Sequence, residues 1–344
     1  MIKIAHLVEP VGLGGVTRNV ETLIEHMHGV SHVRYDVRPR RSLPPVVPAD
    51  HLVVIHFTAS WSKLPYLAAL RALRGHAPIV IVEHSYTGAY EQIRVRSQPR
   101  FRAMLRLIYG FADRVVAVSS AQAAWLREAG VVDPAKIVVI PSSTYCGGFE
   151  KLAPPVRTGG SAEPLRIASC GRYCDAKGFD TLIEAMRALP NGMATLTLAG
   201  FGPQEARLKA LAGGMPNVTV GGPTRDVEGL FAACDVVAMP SRFESFGQVA
   251  LEGRAAARPL IASAVDGLIG QTGPAWGWLV DVDGIPGWTA AIGLAAGADL
   301  HTMGLAARRS AAGHLEASLA LWLQLAETLM APKLQVRWQD PRAA

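Results

Sequence analysis

Cysteine is scarce: four in 344 residues, at positions 146, 170, 174 and 234. So few exclude a disulfide-built scaffold, no two form a C-x-x-C pair, and the pattern fits a reducing cytoplasm. Cys170 and Cys174 stand close, but no neighbouring His or Cys completes a tetrahedral metal set. Long uncharged apolar runs are missing as well. None reaches the ~18 residues of a membrane span, and the stretch 188–204 is broken by Pro, Asn and Gly. The first nine residues, interrupted by His6 and Glu9, are too short for a signal peptide and predict a first β-strand. A cytoplasmic protein is expected.

What is present is an apolar half of the composition with 18% charged residues, which argues against disorder. At ~150 residues per domain the length suggests two domains. The net charge of +6 is uneven: residues 1–160 carry 19 Lys and Arg against 11 Asp and Glu, and residues 161–344 carry 15 against 17. A basic first half suits an anionic partner: nucleic acid, an acidic lipid surface or a phosphorylated substrate.

Short β-branched runs at 2–8, 52–55, 79–82, 115–118 and 137–140 alternate with helical patterns, which predicts βα units and a parallel sheet. Residues 153–164 contain three prolines and two glycines without periodicity and read as a linker. The alternation restarts at 165–169, 194–198, 217–220, 236–239, 260–262 and 278–280. Two similar α/β domains are therefore expected, at 1–155 and 164–312. Beyond them, Leu315, Leu319, Trp322, Leu323, Leu325, Ala326 and Leu329 predict a terminal helix over 313–331. Pro332 is expected to stop it, and the helix to pack back on the first domain.

Three segments carry candidate chemistry. Gly12-Leu-Gly-Gly-Val-Thr-Arg18 follows the first strand and precedes a helical pattern, so backbone amides at Gly14 and Gly15 are placed to approach a phosphate. Its spacing is not G-x-G-x-x-G, and a plain strand-to-helix turn is the competing reading. Gly171-Arg-Tyr-Cys-Asp-Ala-Lys-Gly178 has the same setting with two cations: Arg172 offers a planar fork and Lys177 a point charge, a pairing suited to a diphosphate. Pro240-Ser-Arg-Phe-Glu-Ser-Phe-Gly247 leads from a strand into a helix bearing Glu252. On one straight helix, Glu244 and Glu252 would stand ~12 Å apart along the axis. That is wider than the ~5 to 9.5 Å of a glycosidase acid/base pair. They read as ligand-holding carboxylates, Glu252 for a ribose diol and Glu244 for a sugar hydroxyl, with the amides of Ser245, Phe246, Gly247 and Gln248 facing the phosphate between.

Gly-Arg-x4-Lys-Gly at 171–178, Ala199-Gly-Phe-Gly202, the segment 240–247 and the E-x7-E pair together resemble the GT4-type retaining glycosyltransferases of group 1, which have the GT-B fold. In the first half the resemblance rests on Gly14-Gly15 and Glu83-His-Ser85. It implies two Rossmann-like α/β domains facing each other across a cleft: an acceptor-binding N-terminal domain and a nucleotide-sugar-binding C-terminal one. The implied reaction moves a sugar from a nucleoside diphosphate sugar to a hydroxyl acceptor, lipid-linked or a polysaccharide precursor, without a metal or other cofactor. By resemblance, Arg172 and Lys177 bind the diphosphate, Glu244 and the 245–248 backbone the sugar, Glu252 the ribose, and Gly14 and Gly15 the phosphate. His84 stands near the reactive carbon, and the base lies near 222–227, including Thr224. Arg258 departs from the family pattern, which has Gly there, and Gly221-Gly-Pro-Thr-Arg225 is not a strong base-reading sequence, so the donor stays open.

Asp281-Val-Asp283 spells the D-x-D of metal-dependent transferases, but in a Gly/Pro-rich turn after the last strand it reads as ordinary loop chemistry. Residues 93–109 carry Arg94, Arg96, Arg100, Arg102 and Arg106 amid Phe101, Met104, Leu105, Ile108 and Tyr109. This suits peripheral attachment to an anionic membrane, at the inner face of the plasma membrane. Equally, it suits a helix packed on its own sheet. No nucleic-acid-reading motif accompanies it. The alternatives to transfer are a GT-B-fold sugar-nucleotide epimerase and a non-catalytic nucleotide-sugar binding protein.

Overall fold

The computed structural model describes residues 1–9, 15–27, 33–39, 47–48, 50–75, 77–158 and 161–336. They form two compact units, one from the described residues of Met1–Tyr145 and Gly313–Ala344, the other from those of Cys146–Ala312. Each is built on a six-stranded sheet whose neighbouring strands are all parallel.

The first unit runs β1 (Ile2–Val8), α1 (Gly15–Met27), β2 (Val33–Pro39), β3 (His51–Ile55), α2 (Leu64–Arg74), β4 (Ile79–Glu83), α3 (Gly88–Arg94), α4 (Gln98–Gly110), β5 (Arg114–Ala117), α5 (Ser120–Glu128) and β6 (Ile137–Val139). The strand order is β2-β1-β3-β4-β5-β6. Strands β3 to β5 are near-continuous Val and Ile because helices cover both faces of a parallel sheet. The edge strand β2 was not expected. Its charges alternate with apolar residues, as befits an edge, where the apolar runs used to find the other strands are missing.

The second unit runs β7 (Leu165–Arg172), α6 (Phe179–Ala188), β8 (Ala194–Phe201), α7 (Glu205–Leu211), β9 (Val218–Val220), α8 (Val227–Ala232), β10 (Val236–Met239), α9 (Gln248–Ala255), β11 (Leu260–Ser263), α10 (Asp266–Gln271), β12 (Gly277–Val280), α11 (Ile285–Ala296) and α12 (Leu300–Ala311). Its sheet order is β12-β11-β10-β7-β8-β9. Residues 146–158 belong with this unit. Arg258 Nη1 donates to Ala153 O at 2.8 Å, and Arg308 reaches Leu152 O.

The chain then returns to the first unit as α13 (His314–Val336), which packs against β1, β3 and α1. Ser318 Oγ donates to Pro141 O at 2.8 Å, and Trp322, Leu325, Ala326 and Met330 are buried. Pro332 does not end this helix. Proline's fixed φ is itself helical, so a single proline near a helix end removes one donor without forcing a stop. Among the described residues no single helix is long and apolar enough to cross a membrane.

The arginine-rich segment 93–109 covers the end of α3 and most of α4. The side chains assigned to acyl chains are already engaged: Met104, Leu105, Ile108 and Tyr109 are buried in the core of the first unit and Phe101 packs against it. Arg102 binds Glu91 at 2.6 Å and Arg106 donates to Gly130 O at 2.8 Å. An insertion of that apolar face into lipid is thereby corrected; the exposed residues of the segment include Ile93, Arg94, Arg96, Arg100 and Leu107.

Candidate functional site

In an open parallel sheet, ligands bind beyond the carboxyl ends of the strands where the order reverses. In the second unit that point lies between β7 and β10, the neighbours from which the chain runs outward in both directions. The two strongest motifs leave those strands, 171–178 from β7 and 240–247 from β10.

Gly171 and Arg172 are the last residues of β7 rather than part of the turn, paired in register with Gly200 and Phe201 of β8. The strands approach so closely here that a Cβ on Gly200 would overlap the Gly171 carbonyl. Arg172 is exposed at the strand tip. A 3-10 turn, Asp175–Lys177, then ends at Gly178, which is left-handed (φ +61°) and so close to Pro240 O that any Cβ would collide with it. This contact sets the 171–178 turn against the 240–247 loop.

The two predicted ligand groups meet across that contact. Lys177 Nζ donates to Glu244 Oε2, and Ser241 Oγ reaches the same oxygen at 3.5 Å. Burial works against the Lys177 charge, but the Glu244 carboxylate outweighs it and raises the ammonium above its ordinary value. Glu244 O accepts from Gly267 N at 2.9 Å, which fixes its backbone. Beyond it, Gly247 (φ +94°) caps α9, and the 245–248 amides lie at that helix start. Glu252 lies inside α9, on the helix expected to bear it, and is only 2% exposed. Its charge helps burial push the neighbouring Cys146 thiol up to about 12.

Thr224 stands on the exposed loop after β9, where its hydroxyl accepts from Asp226 N at 3.0 Å. That loop is tied to the 171–178 turn by Tyr173, whose hydroxyl donates to Gly221 O at 2.7 Å.

Arg242, inside the 240–247 motif, was missed as a functional group. It donates from Nη1 to Asp180 Oδ1 at 3.0 Å and to Asp175 O at 2.7 Å, and from Nε to Asp283 Oδ2 at 3.0 Å. Thr181 Oγ1 also donates to Asp283, at 2.6 Å. Asp283, half of the D-x-D string, is thus the third corner of a brace that joins the ends of β7, β10 and β12. That Arg242 would join Asp175, Asp180 and Asp283 could be read from the residues only with the strand order in hand.

In the first unit Gly15 opens α1, while Gly14 lies outside the described residues. Asn19 of α1 donates to Ser142 Oγ at 2.6 Å. His84 follows β4. Its Nε2 lies 3.0 Å from His56 Nδ1, and His56 Nε2 lies 2.8 Å from His6 Nδ1. Burial lowers His84 to about 4 and His6 to about 3. Glu83 beside them accepts from Ser85 N, Tyr86 N and Tyr109 Oη at 2.6, 2.8 and 2.5 Å, and burial raises its pKa despite these bonds.

Comparison with known proteins matches each unit separately. A family model described as glycosyltransferase family 4 matches residues 17–143, and one described as glycosyl transferases group 1 matches 164–295. Curated relatives include the D-inositol 3-phosphate glycosyltransferases of Segniliparus rotundus, 34% identical over 57% of this chain and 47% of the relative, and of Mycobacteroides abscessus, 30% identical over 64% and 53%. The chain spans about half the length of the curated relatives it matches. Among solved structures, Anabaena HepE in complex with UDP shares a TM-score of 0.73 at 19% identity, over 96% of this chain and 100% of that one. Sucrose-phosphate synthase from Thermosynechococcus elongatus gives 0.77 at 22%, again over 96% and 100%. These likenesses show a shared GT-B fold, and with both units matched by the group's models the chain belongs to the GT4-type, group 1 glycosyltransferases.

Proposed function

We propose that the chain transfers a sugar from a nucleoside diphosphate sugar to a hydroxyl acceptor, with retained stereochemistry and without a metal. The observation that carries this reading is the bond from Lys177 to Glu244, which sets a cation and a sugar-holding carboxylate side by side at the reversal point of the second sheet. Arg172 at the tip of β7 and Lys177 on the adjoining turn take the diphosphate, and the start of α9 adds its amides. As the sugar bond breaks, negative charge grows on the departing phosphate. A cation already oriented there lowers the barrier without rearranging. At an effective dielectric of 20 a unit pair ~4 Å apart interacts by about 4 kcal/mol, an upper bound of roughly a thousandfold in rate per cation. The Arg242 brace on Asp283 supports the metal-free reading, because it occupies a carboxylate that a divalent ion would need.

Anabaena HepE has been crystallised with UDP and with UDP-glucose, which favours a uridine nucleotide as the first donor to try. The acceptors to try are a lipid-linked glycan and, from the names of the curated relatives, an inositol phosphate. A content of four cysteines in 344 residues favours a cytoplasmic setting. Attachment to an anionic membrane would fall to Arg94, Arg96 and Arg100. Thermal-shift screening against UDP-, GDP- and ADP-sugars, followed by acceptor assays with the stabilising donor, tests the reading. Donor conversion without an acceptor would make the chain an epimerase, and a melting shift with no product at all a binding protein.

A further inference from the structure

Three histidines that no motif joins stand in one column. His6 lies in β1, His56 follows β3 and His84 follows β4, three adjacent strands, and β1 and β3 flank the reversal point of the first sheet. His6 is fully buried and His56 nearly so, at 4% exposure. Successive ring planes lie 23° and 24° from parallel, with centroids 5.1 and 5.3 Å apart. Their nitrogens meet edge to edge at 2.8 and 3.0 Å.

Those contacts run in series, from ring to ring. Three metal ligands would instead converge on one point, and among the described residues no group of three or more His, Cys, Asp or Glu does so. The separations are those of hydrogen bonds, and each contact needs one N–H and one lone pair. Two neighbouring rings therefore cannot both be cations, because two N–H groups would face each other. When all three are neutral, the choice of tautomer at one ring fixes the others. If His56 donates from Nε2 to His6, His84 must donate from Nε2 to His56 and carry its lone pair on Nδ1. If His56 donates from Nδ1, His84 carries its proton on Nδ1.

We infer that His6 and His56 are positioning residues for His84, holding its ring in one orientation and one neutral tautomer through this column. The inference rests on the proposed function only for its kinetic readout, in which His84 takes part in transfer; the column itself is a property of the first unit. Burial favours neutrality at all three rings, with His56 pushed down further by its two neighbours. A neutral, single-tautomer imidazole presents a defined donor or acceptor to a ligand, whereas a freely turning ring presents an average.

The test uses the full chain with 15N-labelled histidine and two-bond 1H–15N correlations of the imidazoles at pH 6.5. His6, His56 and His84, assigned by single substitutions, should each show one neutral tautomer. Averaged nitrogen shifts at His84, or a His84 that is half protonated at that pH, would overturn the inference, and this readout requires no active variant. His56→Phe keeps an aromatic ring but neither nitrogen. It should leave the UDP-induced melting shift unchanged, average the His84 tautomer, and lower transfer kcat at least tenfold with an unaltered KM for UDP-glucose. A folded His56→Phe with wild-type kcat would overturn it too. If wild-type protein bound no nucleotide sugar, the proposed function would fall while the correlations still decided the column.

Discussion

Arg242 holds Asp180 by two near-parallel bonds, Nη1 to Oδ1 at 3.0 Å and Nη2 to Oδ2 at 3.2 Å, so a residue of the β10 loop is anchored on the helix after β7. The same guanidinium reaches Asp283 beyond β12. Glu244 is two residues from Arg242, and the brace therefore holds the loop that presents the candidate sugar-binding carboxylate.

Arg242→Ala removes the cation from its largely buried pair with Asp180, which loses its main partner. Breaking such a pair costs about 3 kcal/mol or more. Urea unfolding should show a loss of that order, and Arg242→Lys should recover only part of it, since one ammonium cannot make the fork. A loss under about 1 kcal/mol for the alanine variant would remove the brace from the account.

Lys177→Ala should fold normally, because the side chain stands a quarter exposed on a turn outside the core, and should lose most transfer activity. For Glu252 the choice of variant matters. Burial makes Glu252→Ala a packing change as well as a loss of charge, so the informative variant is Glu252→Gln, which keeps the shape. Activity assays beside circular dichroism separate the two effects; full activity in both variants would contradict the site.

Arg258, where relatives usually have Gly, is 3% exposed and donates to the carbonyls of Phe231, Ala153 and Ala256 at 2.7, 2.8 and 2.9 Å. It is a structural tie for the segment 146–158 and accounts for the departure without reference to a ligand. Arg258→Lys cannot reach three carbonyls at once and should cost about 2 kcal/mol, read as a lower unfolding midpoint with donor binding unchanged. An unchanged midpoint would deny the tie.

The buried histidines set a pH dependence. With folded values near 3 for His6 and near 4 for His84, against an ordinary 6.5, the unfolded chain takes up protons that the folded chain refuses. Their contribution to stability is complete above pH 6.5 and is lost as pH falls toward those folded values. The slope is about 1.4 kcal/mol per pH unit for each proton taken up. Unfolding at pH 7.5, 6.5 and 5.5, above most carboxylate titration, should give a plateau and then a fall. Equal stability at 6.5 and 5.5 would contradict the burial of the column.

Much of this was legible in the residues. Val236–Met239 is a strand as expected, and five of the six strands of the first unit coincide with β-branched runs, because apolar residues on both faces of a parallel sheet leave a plain signature. The edge strand β2 lacks that signature. Strands β7 and β8 run on past the ends expected at 169 and 198, since Gly171 and Gly200 serve close approach between strands there. Lys177 and Glu244 were found separately from their motifs; that they bond follows from β7 and β10 being neighbours, which strand positions alone do not reveal. The same holds for His6, His56 and His84. His6 stands within β1, and His56 and His84 just past β3 and β4, but a column requires the order β1-β3-β4.

The central claim is that the second unit grips a nucleotide diphosphate through the Lys177 turn. Melting of wild type and Lys177→Ala with and without a UDP-sugar tests it most directly. Ligand at a hundred times its Kd stabilises by about 2.7 kcal/mol, a shift of several degrees. Such a shift is expected in wild type and should largely vanish in Lys177→Ala. An equal shift in both proteins, or none in wild type with any UDP-, GDP- or ADP-sugar, would contradict the account.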